Sequence, residues 1–161
     1  MTLFTMASVS DIAAAIQVAI APIFLLVGTG SLLNVVTARL GRVVDRVRAL
    51  EGLIEKGEDE VLERRHIGEL LVLDKRLKYG NRAVYFCSAS AVLICILVAL
   101  VFVAGFFGPA AGIFVAILFF IVVLSLIIGL VSFLMEVRIA TNHLRVRHEF
   151  LADRSGAAKK D

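Results

Sequence analysis

Charged residues occupy only part of this chain, and their positions constrain its topology more than any other feature. All seventeen Lys and Arg residues lie either between Arg39 and Arg82 or between Arg138 and Lys160. Loops rich in Lys and Arg remain on the cytoplasmic side of a membrane, so both blocks are predicted to be cytoplasmic. The N-terminal stretch and the link 105–112 contain neither residue type, so both are predicted to lie outside, with the C-terminus inside.

The composition indicates a membrane protein. Hydrophobic residues make up 60% of the 161 residues and the mean hydropathy is +0.93, so polar residues are too few to cover a soluble core. A bilayer core of about 30 Å needs about 20 apolar residues per helical span, and three segments have that length. The predicted fold is an all-α membrane protein whose three transmembrane helices extend into a cytoplasmic helical bundle. Its predicted parts are an external N-terminus at 1–11, transmembrane helices at 12–38, 83–104 and 113–135, a cytoplasmic helical hairpin at 39–82, an external turn at 105–112, a cytoplasmic helix at 136–154 and a disordered tail at 155–161.

The first span is predicted to continue as a helix into the cytoplasm. Apolar residues recur along it in steps of 4, 3, 4, 3 and 4, a heptad-type seam of the kind found in coiled coils. A turn follows at residues 56–59, because Gly57 can end one helix and Asp59 can cap the next. A helical hairpin results. The seam consists of Val36, Leu40, Val43, Val47, Leu50 and Ile54.

One stretch of the chain resembles a known family. LLNVVTARLGRVVDRVRALE, residues 32–51, and the preceding AIQVAIAPIFLLVGTGSLLN are similar to small bacterial membrane proteins grouped as domain of unknown function 2721. The residues that carry the resemblance are Asn34, Arg39, Arg42, Asp45 and Arg46. The resemblance implies a three-span architecture over nearly the whole chain and a bacterial inner-membrane location, and it supplies no activity and no site.

A polar sector runs down the first predicted helix. At 100° per residue, seven residues fall within roughly 80° of one another. Inside lipid such a stripe should face protein or water. In one interpretation the small residues let helices pack closely, and the arginines bind anionic lipid headgroups or acidic side chains. In the other, the stripe lines a pore with an arginine-ringed inner mouth that favours anions. The sector contains Gln17, Ala21, Gly28, Ser31, Arg39, Arg42 and Arg46, of which all but Ala21 are candidate pore-lining residues.

Two ion pairs are predicted on the cytoplasmic side. Glu136 lies at the cytoplasmic end of a small-residue stripe on the third span, where Arg39 and Arg82 should have nearly the same depth, so a salt bridge is expected there. Asp74 lies on the apolar face of the hairpin's second arm, and Arg147 lies on the apolar half of the C-terminal helix. Because a buried charge needs a partner, an Asp74–Arg147 contact within or between chains is expected.

No residue pattern indicates catalysis, a metal or a cofactor. Nucleotide-binding and hydrolase motifs are absent, the apolar cores of the spans hold no ionisable residue, and the five His and Cys residues have no ligand-type spacing. The near balance of basic and acidic residues argues against nucleic-acid binding. The sequence therefore predicts a homo-oligomer that is not an enzyme, acting as an ion channel or pore or else as a membrane scaffold or regulatory subunit. The His and Cys residues concerned are His66, His143, His148, Cys87 and Cys95.

Overall fold

Three long helices make up the described part of the protein. The computed structural model describes residues 9–55, 60–107 and 111–157, with side chains at residue 13 and over 16–55, 60–103 and 112–142. The helices are α1, Val9–Ile54, of 46 residues, α2, Glu60–Phe107, of 48 residues, and α3, Ala111–Ala157, of 47 residues. At about 1.5 Å per residue each helix is about 70 Å long, more than twice the hydrocarbon thickness of a bilayer. The prediction of an all-helical chain with three long helices is confirmed.

The helix ends follow local chemistry where the structure describes them. The first turn of α2 contains Glu60 and Glu63, whose negative charge is favourable at a helix N-terminus. The C-terminal helix α3 continues to Ala157, whereas the sequence predicted a disordered tail from Ser155. Adding a residue to an existing helix needs no new nucleation, so a residue with low helix propensity, such as Gly156, can still be helical at its end. The predicted turn at 56–59 and the last four residues lie outside the described part.

The chain divides into two compact units. The apolar unit consists of Met1–Val35 and Val84–Gly129, and the charged unit consists of Val36–Ala83 and Leu130–Asp161. Each helix contributes one segment to each unit. All seventeen basic residues and every acidic residue except Asp11 belong to the charged unit.

The apolar unit buries small residues and hydroxyl groups. The Thr29 hydroxyl donates to the Leu25 carbonyl at 2.8 Å, and the Ser90 hydroxyl donates to the Cys87 carbonyl at 2.8 Å. A backbone acceptor within the same helix therefore satisfies each of these buried donors. The other buried residues of this unit include Ala19, Cys87, Ile94, Leu97, Val101 and Val122.

The charged unit has an apolar core between α1 and α2. Val43, Leu50 and Leu73 form its buried centre, and Val47, Leu70 and Leu77 pack around them. Two contacts set the direction of the helices, because Leu40 meets Gly80 whereas Arg46, farther along α1, meets Glu69, which precedes Gly80 in α2. The α1 and α2 segments are therefore antiparallel in this unit. All six residues of the predicted seam are buried or half-buried.

The helices are long and apolar enough to cross a membrane. The candidate spans fall within Ile16–Ile54, Glu60–Val103 and Gly112–Asn142. Large apolar side chains are widely exposed on the apolar unit, including Phe24 at 74% and Phe120 at 68%. Exposing this much apolar surface to water is energetically unfavourable, so lipid or other protein must cover it. The protein is a multi-pass membrane protein.

Candidate functional site: a buried glutamate between two arginines

The most distinctive polar group of the charged unit is the carboxylate of Glu136 on α3. Its side chain is only 4% exposed. Removing a charge from water costs several kcal/mol unless opposite charges and hydrogen bonds compensate. The surroundings of Glu136 therefore decide whether this part of the unit is stable.

Two arginines hold Glu136 from two other helix segments. Arg76 on α2 donates to Oε1 twice, from Nε at 3.0 Å and from Nη2 at 2.7 Å. The Nε of Arg39 on α1 lies 3.3 Å from Oε2 and makes an ion pair that is not aligned as a hydrogen bond. Glu136 thus joins α1, α2 and α3 within the charged unit.

An aromatic ring completes the environment of Arg39. The guanidinium carbon of Arg39 lies 5.8 Å from the centre of the Phe133 ring, within the range of a cation–π contact. Phe133 precedes Glu136 by three residues, so the ring and the carboxylate lie on neighbouring positions of one helix face. Arg39 is therefore oriented by two groups of α3.

The cluster carries a net charge of about +1, because it has two guanidinium groups and one carboxylate. An arginine side chain does not lose its proton in a protein, and both oxygens of Glu136 already face arginine. The cluster consequently lacks a free base, a nucleophile and an open ligand position among the described residues. Its three side chains, Arg39, Arg76 and Glu136, hold the helix segments together by opposite charge, and we call this cluster the clamp.

A close helix contact lies beside the clamp. A Cβ atom added to Gly80 of α2 would lie 2.7 Å from Cδ1 of Leu40 on α1. Glycine therefore gives the Leu40 side chain its space at this crossing. Val36, Arg39, Phe133 and Glu136 border the same space, so the close contact and the clamp form one packed site.

A second ion pair lies farther along α1 in the charged unit. Arg46 donates to Glu69 from Nε at 2.8 Å and from Nη2 at 3.2 Å, a two-bond pair with half of the arginine side chain exposed. The hydrogen bond to Glu69, and then its negative charge, raise the pKa of Arg46 above its ordinary value. Arg46 lies beyond the predicted span and remains charged at any physiological pH.

The predicted pore-lining residues have different environments in the two units. In the apolar unit, Gln17, Gly28 and Ser31 are exposed, and a Cβ atom on Gly28 would meet nothing within 4 Å. In the charged unit, Arg39 and Arg46 are held by carboxylates, whereas Arg42 is exposed. The interpretation in which arginines bind acidic side chains thus describes Arg39 and Arg46.

The predicted ion pairs also differ in their outcome. Arg39 forms an ion pair with Glu136, as expected. Arg82 is exposed, and its side chain takes part in an interaction within the chain. The Asp74 side chain is 53% exposed and pairs with Lys78 at 2.8 Å, one turn away on α2. The burial that led us to expect a distant partner is therefore absent in the single chain. The side chain of Arg147 lies outside the described residues, so the Asp74–Arg147 contact stays a prediction.

Sequence reasoning missed Arg76, although a signal was present. Leu73, Arg76, Gly80 and Ala83 recur at steps of 3, 4 and 3, and the structure buries the three uncharged members while Arg76 is 21% exposed. An arginine on an otherwise buried helix face needs an acidic partner. That rule, applied to α2, would have indicated a partner for Glu136.

The His and Cys residues do not assemble a metal site within the part of the chain that is described. No group of three His, Cys, Asp or Glu residues suited to a metal ion occurs there. Cys87 is buried, Cys95 is exposed and both are free thiols. The side chains of His143 and His148 lie outside the described residues, and His66 is half-buried with an interaction in the chain.

A known protein family covers most of the chain. The family described as "Protein of unknown function (DUF2721)" matches residues 19–146, about four-fifths of the sequence. The chain belongs to this family. The family match includes all three residues of the Arg39–Arg76–Glu136 clamp. No curated protein and no solved structure matches the chain.

Proposed function

We propose that this DUF2721 protein is a homo-oligomer of the bacterial inner membrane, that it is not an enzyme, and that it acts as a membrane scaffold or regulatory subunit. The N-terminus lies outside and the C-terminus in the cytoplasm. The orientation is supported by the positive-inside rule, since all seventeen basic residues belong to the charged unit. The charged unit is then the cytoplasmic bundle.

One observation supports self-association most directly. The exposed face of α1 in the apolar unit includes the amide of Gln17, the hydroxyl of Ser31 and the bare backbone of Gly28. A lipid chain offers no partner to an amide, and glycine weakens a helix by about 1 kcal/mol relative to alanine. A neighbouring helix would supply a hydrogen-bond partner for Gln17 and Ser31. It could also approach closely at Gly28, where no side chain is in the way.

The charged unit supports the scaffold activity. Its interior is occupied by the apolar core and the clamp around Glu136, which leaves the described side chains on its exterior to recognise partners. That exterior carries both signs, including the exposed pairs Arg64–Glu60 and Lys78–Asp74. A surface that carries both signs is suited to binding another membrane complex through electrostatic complementarity.

Native mass spectrometry of the full chain in lipid nanodiscs tests the assembly. We expect a homo-oligomer with one dominant copy number. A chain that remains monomeric at every protein-to-lipid ratio would contradict self-association. Recovery of a fixed complex with a different protein and a single copy of this chain would contradict the homo-oligomer but retain the scaffold.

A second candidate function is an anion-permeable pore. The specific observation in its favour is that Gln17 and Ser31 in the apolar unit and Arg42 in the charged unit are all exposed on one helix. Chloride and potassium flux into vesicles containing the protein would test it. A pore predicts that Arg42→Glu shifts selectivity towards cations, with Arg138→Glu as a control of equal charge change. Equal selectivity in wild type and Arg42→Glu would remove Arg42 from the conduction path.

Anionic lipid headgroups are proposed partners of the same arginines, Arg39, Arg42 and Arg46. Each basic residue near an anionic surface contributes about 1 kcal/mol to such binding. Because Glu136 and Glu69 hold two of the three, Arg42 is the member available to a headgroup. Headgroup binding predicts that Arg42→Ala reduces the number of anionic lipids retained in native mass spectra without changing the copy number, whereas a loss of assembly would assign Arg42 to a contact between proteins.

A further inference from the structure

The α1 segment of the charged unit has two opposite faces. Val36, Val43 and Leu50 recur every seven residues and are at most 3% exposed. At 100° per residue, Asp45 lies about 140 to 180° away from these three positions, on the far side of the helix. One face of α1 therefore packs within the chain, and the opposite face centres on an acidic residue.

Two basic residues flank Asp45 on this outer face. Arg42 precedes it and Arg48 follows it by three residues, so each lies about one turn away along the helix. All three side chains are exposed, and none of them makes a hydrogen bond or ion pair with any residue that the structure describes. This differs from Arg39 and Arg46 on the same segment, whose partners are Glu136 and Glu69.

Little bulk surrounds these charges. Ala38, Gly41, Ala49 and Gly52 occupy the positions around Asp45, and a Cβ atom on either glycine would meet nothing within 4 Å. Gly80 is the contrasting case, because there a Cβ atom would collide with Leu40 of the same chain. The chain's own packing thus explains Gly80 and leaves Gly41 and Gly52 unexplained.

We propose that a second copy of this chain packs on this face, with α1 beside α1 and each Asp45 paired with Arg42 or Arg48 of the other copy. The proposal rests on the homo-oligomer proposed above and names its contact. Two copies in one membrane share orientation and height, so their Asp45 residues lie opposite each other. The arginines one turn above and below are long enough to reach the Asp45 of the other copy diagonally, so each carboxylate can meet a guanidinium although like residues lie at the same height.

Charge reversal with rescue tests the contact. The Asp45→Arg variant makes the face entirely basic, and the R42D/R48D variant makes it entirely acidic. We expect each variant alone to self-associate about tenfold more weakly than wild type, because like charges face each other. An equimolar mixture of the two should form mixed assemblies, and the triple variant R42D/D45R/R48D should recover the wild-type assembly. Chains with two different mass tags, reconstituted in nanodiscs, distinguish these species in native mass spectra.

Controls separate this contact from general charge effects and from misfolding. The R65D/K75D variant reverses two exposed basic residues of α2 and should assemble as wild type does. Helical circular dichroism should be unchanged in every variant. Raising the salt concentration should weaken the wild-type assembly, since exposed ion pairs are screened.

The outcomes distinguish the contact from the proposed function. A monomeric wild type would overturn both. An oligomeric wild type whose assembly is unaffected by Asp45→Arg and by R42D/R48D would overturn the contact and leave the homo-oligomer standing. Weakened assembly in each variant without rescue in the mixture would also overturn it. Loss of bound anionic lipid with unchanged copy number would assign Arg42 and Arg48 to headgroups instead.

Discussion

The apolar unit and the charged unit satisfy their buried polar groups in different ways. In the apolar unit the donors are hydroxyl groups and the acceptors are backbone carbonyls, as in Thr29 to Leu25 and Ser125 to Phe86, the latter at 3.2 Å between helices. The charged unit buries the hydroxyl residue Ser132 and, in addition, the carboxylate of Glu136, whose partners are side chains. One unit thus uses acceptors that every helix provides, and the other depends on two particular arginines.

The difference predicts where each unit tolerates substitution. A hydroxyl that is lost leaves behind a carbonyl still bonded in its helix, so little is left unsatisfied. A carboxylate that is lost leaves two positive charges in a partly buried site. Substitutions in the charged unit should therefore cost more than equivalent ones in the apolar unit, in the order given below.

The largest effect is expected for Glu136→Ala. It leaves Arg39 and Arg76 without their shared carboxylate, and we expect the free energy of unfolding to fall by about 3 kcal/mol, the lower part of the range for a broken buried pair, because both arginines are partly exposed. Unfolding by sodium dodecyl sulfate in mixed micelles, followed by circular dichroism, measures the change. The triple variant E136L/R39M/R76M should recover most of the loss; a triple variant as unstable as Glu136→Ala would show that charge is not the cause.

A smaller effect is expected for Gly80→Val. The added side chain overlaps Leu40, and overpacking of this kind costs about 2 kcal/mol. Gly68→Val is the matched control, since Gly68 lies on the same helix with nothing within 4 Å of a Cβ atom. The Gly80→Val cost should shrink in a Leu40→Ala background, and an equal cost in both backgrounds would exclude the Leu40 contact as its origin.

The exposed Arg46–Glu69 pair should contribute less. We expect Glu69→Ala to lower the free energy of unfolding by about 1 kcal/mol in dilute buffer, because two hydrogen bonds join Arg46 to Glu69 but half of the Arg46 side chain is in solvent. The difference should nearly vanish at about 1 M salt, where charges are screened within about 3 Å. Glu51→Ala, at an exposed acidic residue of α1, gives the baseline, and a Glu69→Ala effect that ignores salt would rule out an ion-pair origin.

The smallest effect is expected in the apolar unit, for Ser125→Ala. It removes the hydroxyl that donates to the Phe86 carbonyl, and such bonds in membrane proteins contribute about 0.6 kcal/mol. The same detergent unfolding experiment measures it. A loss as large as that of Glu136→Ala would remove the contrast between the two units.

The sequence predicted the helices better than it predicted the site. Apolar length and the seam from Val36 to Ile54 reveal the long helices, because helical periodicity is a local property. The clamp depends on which residues of three helices meet. Glu136 and Arg39 could be matched by their depth, whereas Arg76 was missed because its position on a buried face was not weighed. The burial of Asp74 was overestimated because a helix face that is apolar in sequence need not be covered in the single chain.

The clamp also has a consequence for the order in which the charged unit is assembled. Synthesis runs from the N-terminus, so the segments bearing Arg39 and Arg76 exist before Glu136 is made. Until α3 arrives, closing the hairpin would bring two guanidinium groups together with no carboxylate between them. The hairpin core of Val43, Leu50 and Leu73 can begin to form early, whereas repulsion between Arg39 and Arg76 opposes closure of the end near Gly80. Glu136 is thus the last of the three clamp residues to be synthesised. Its carboxylate is the group that holds Arg39 and Arg76 together.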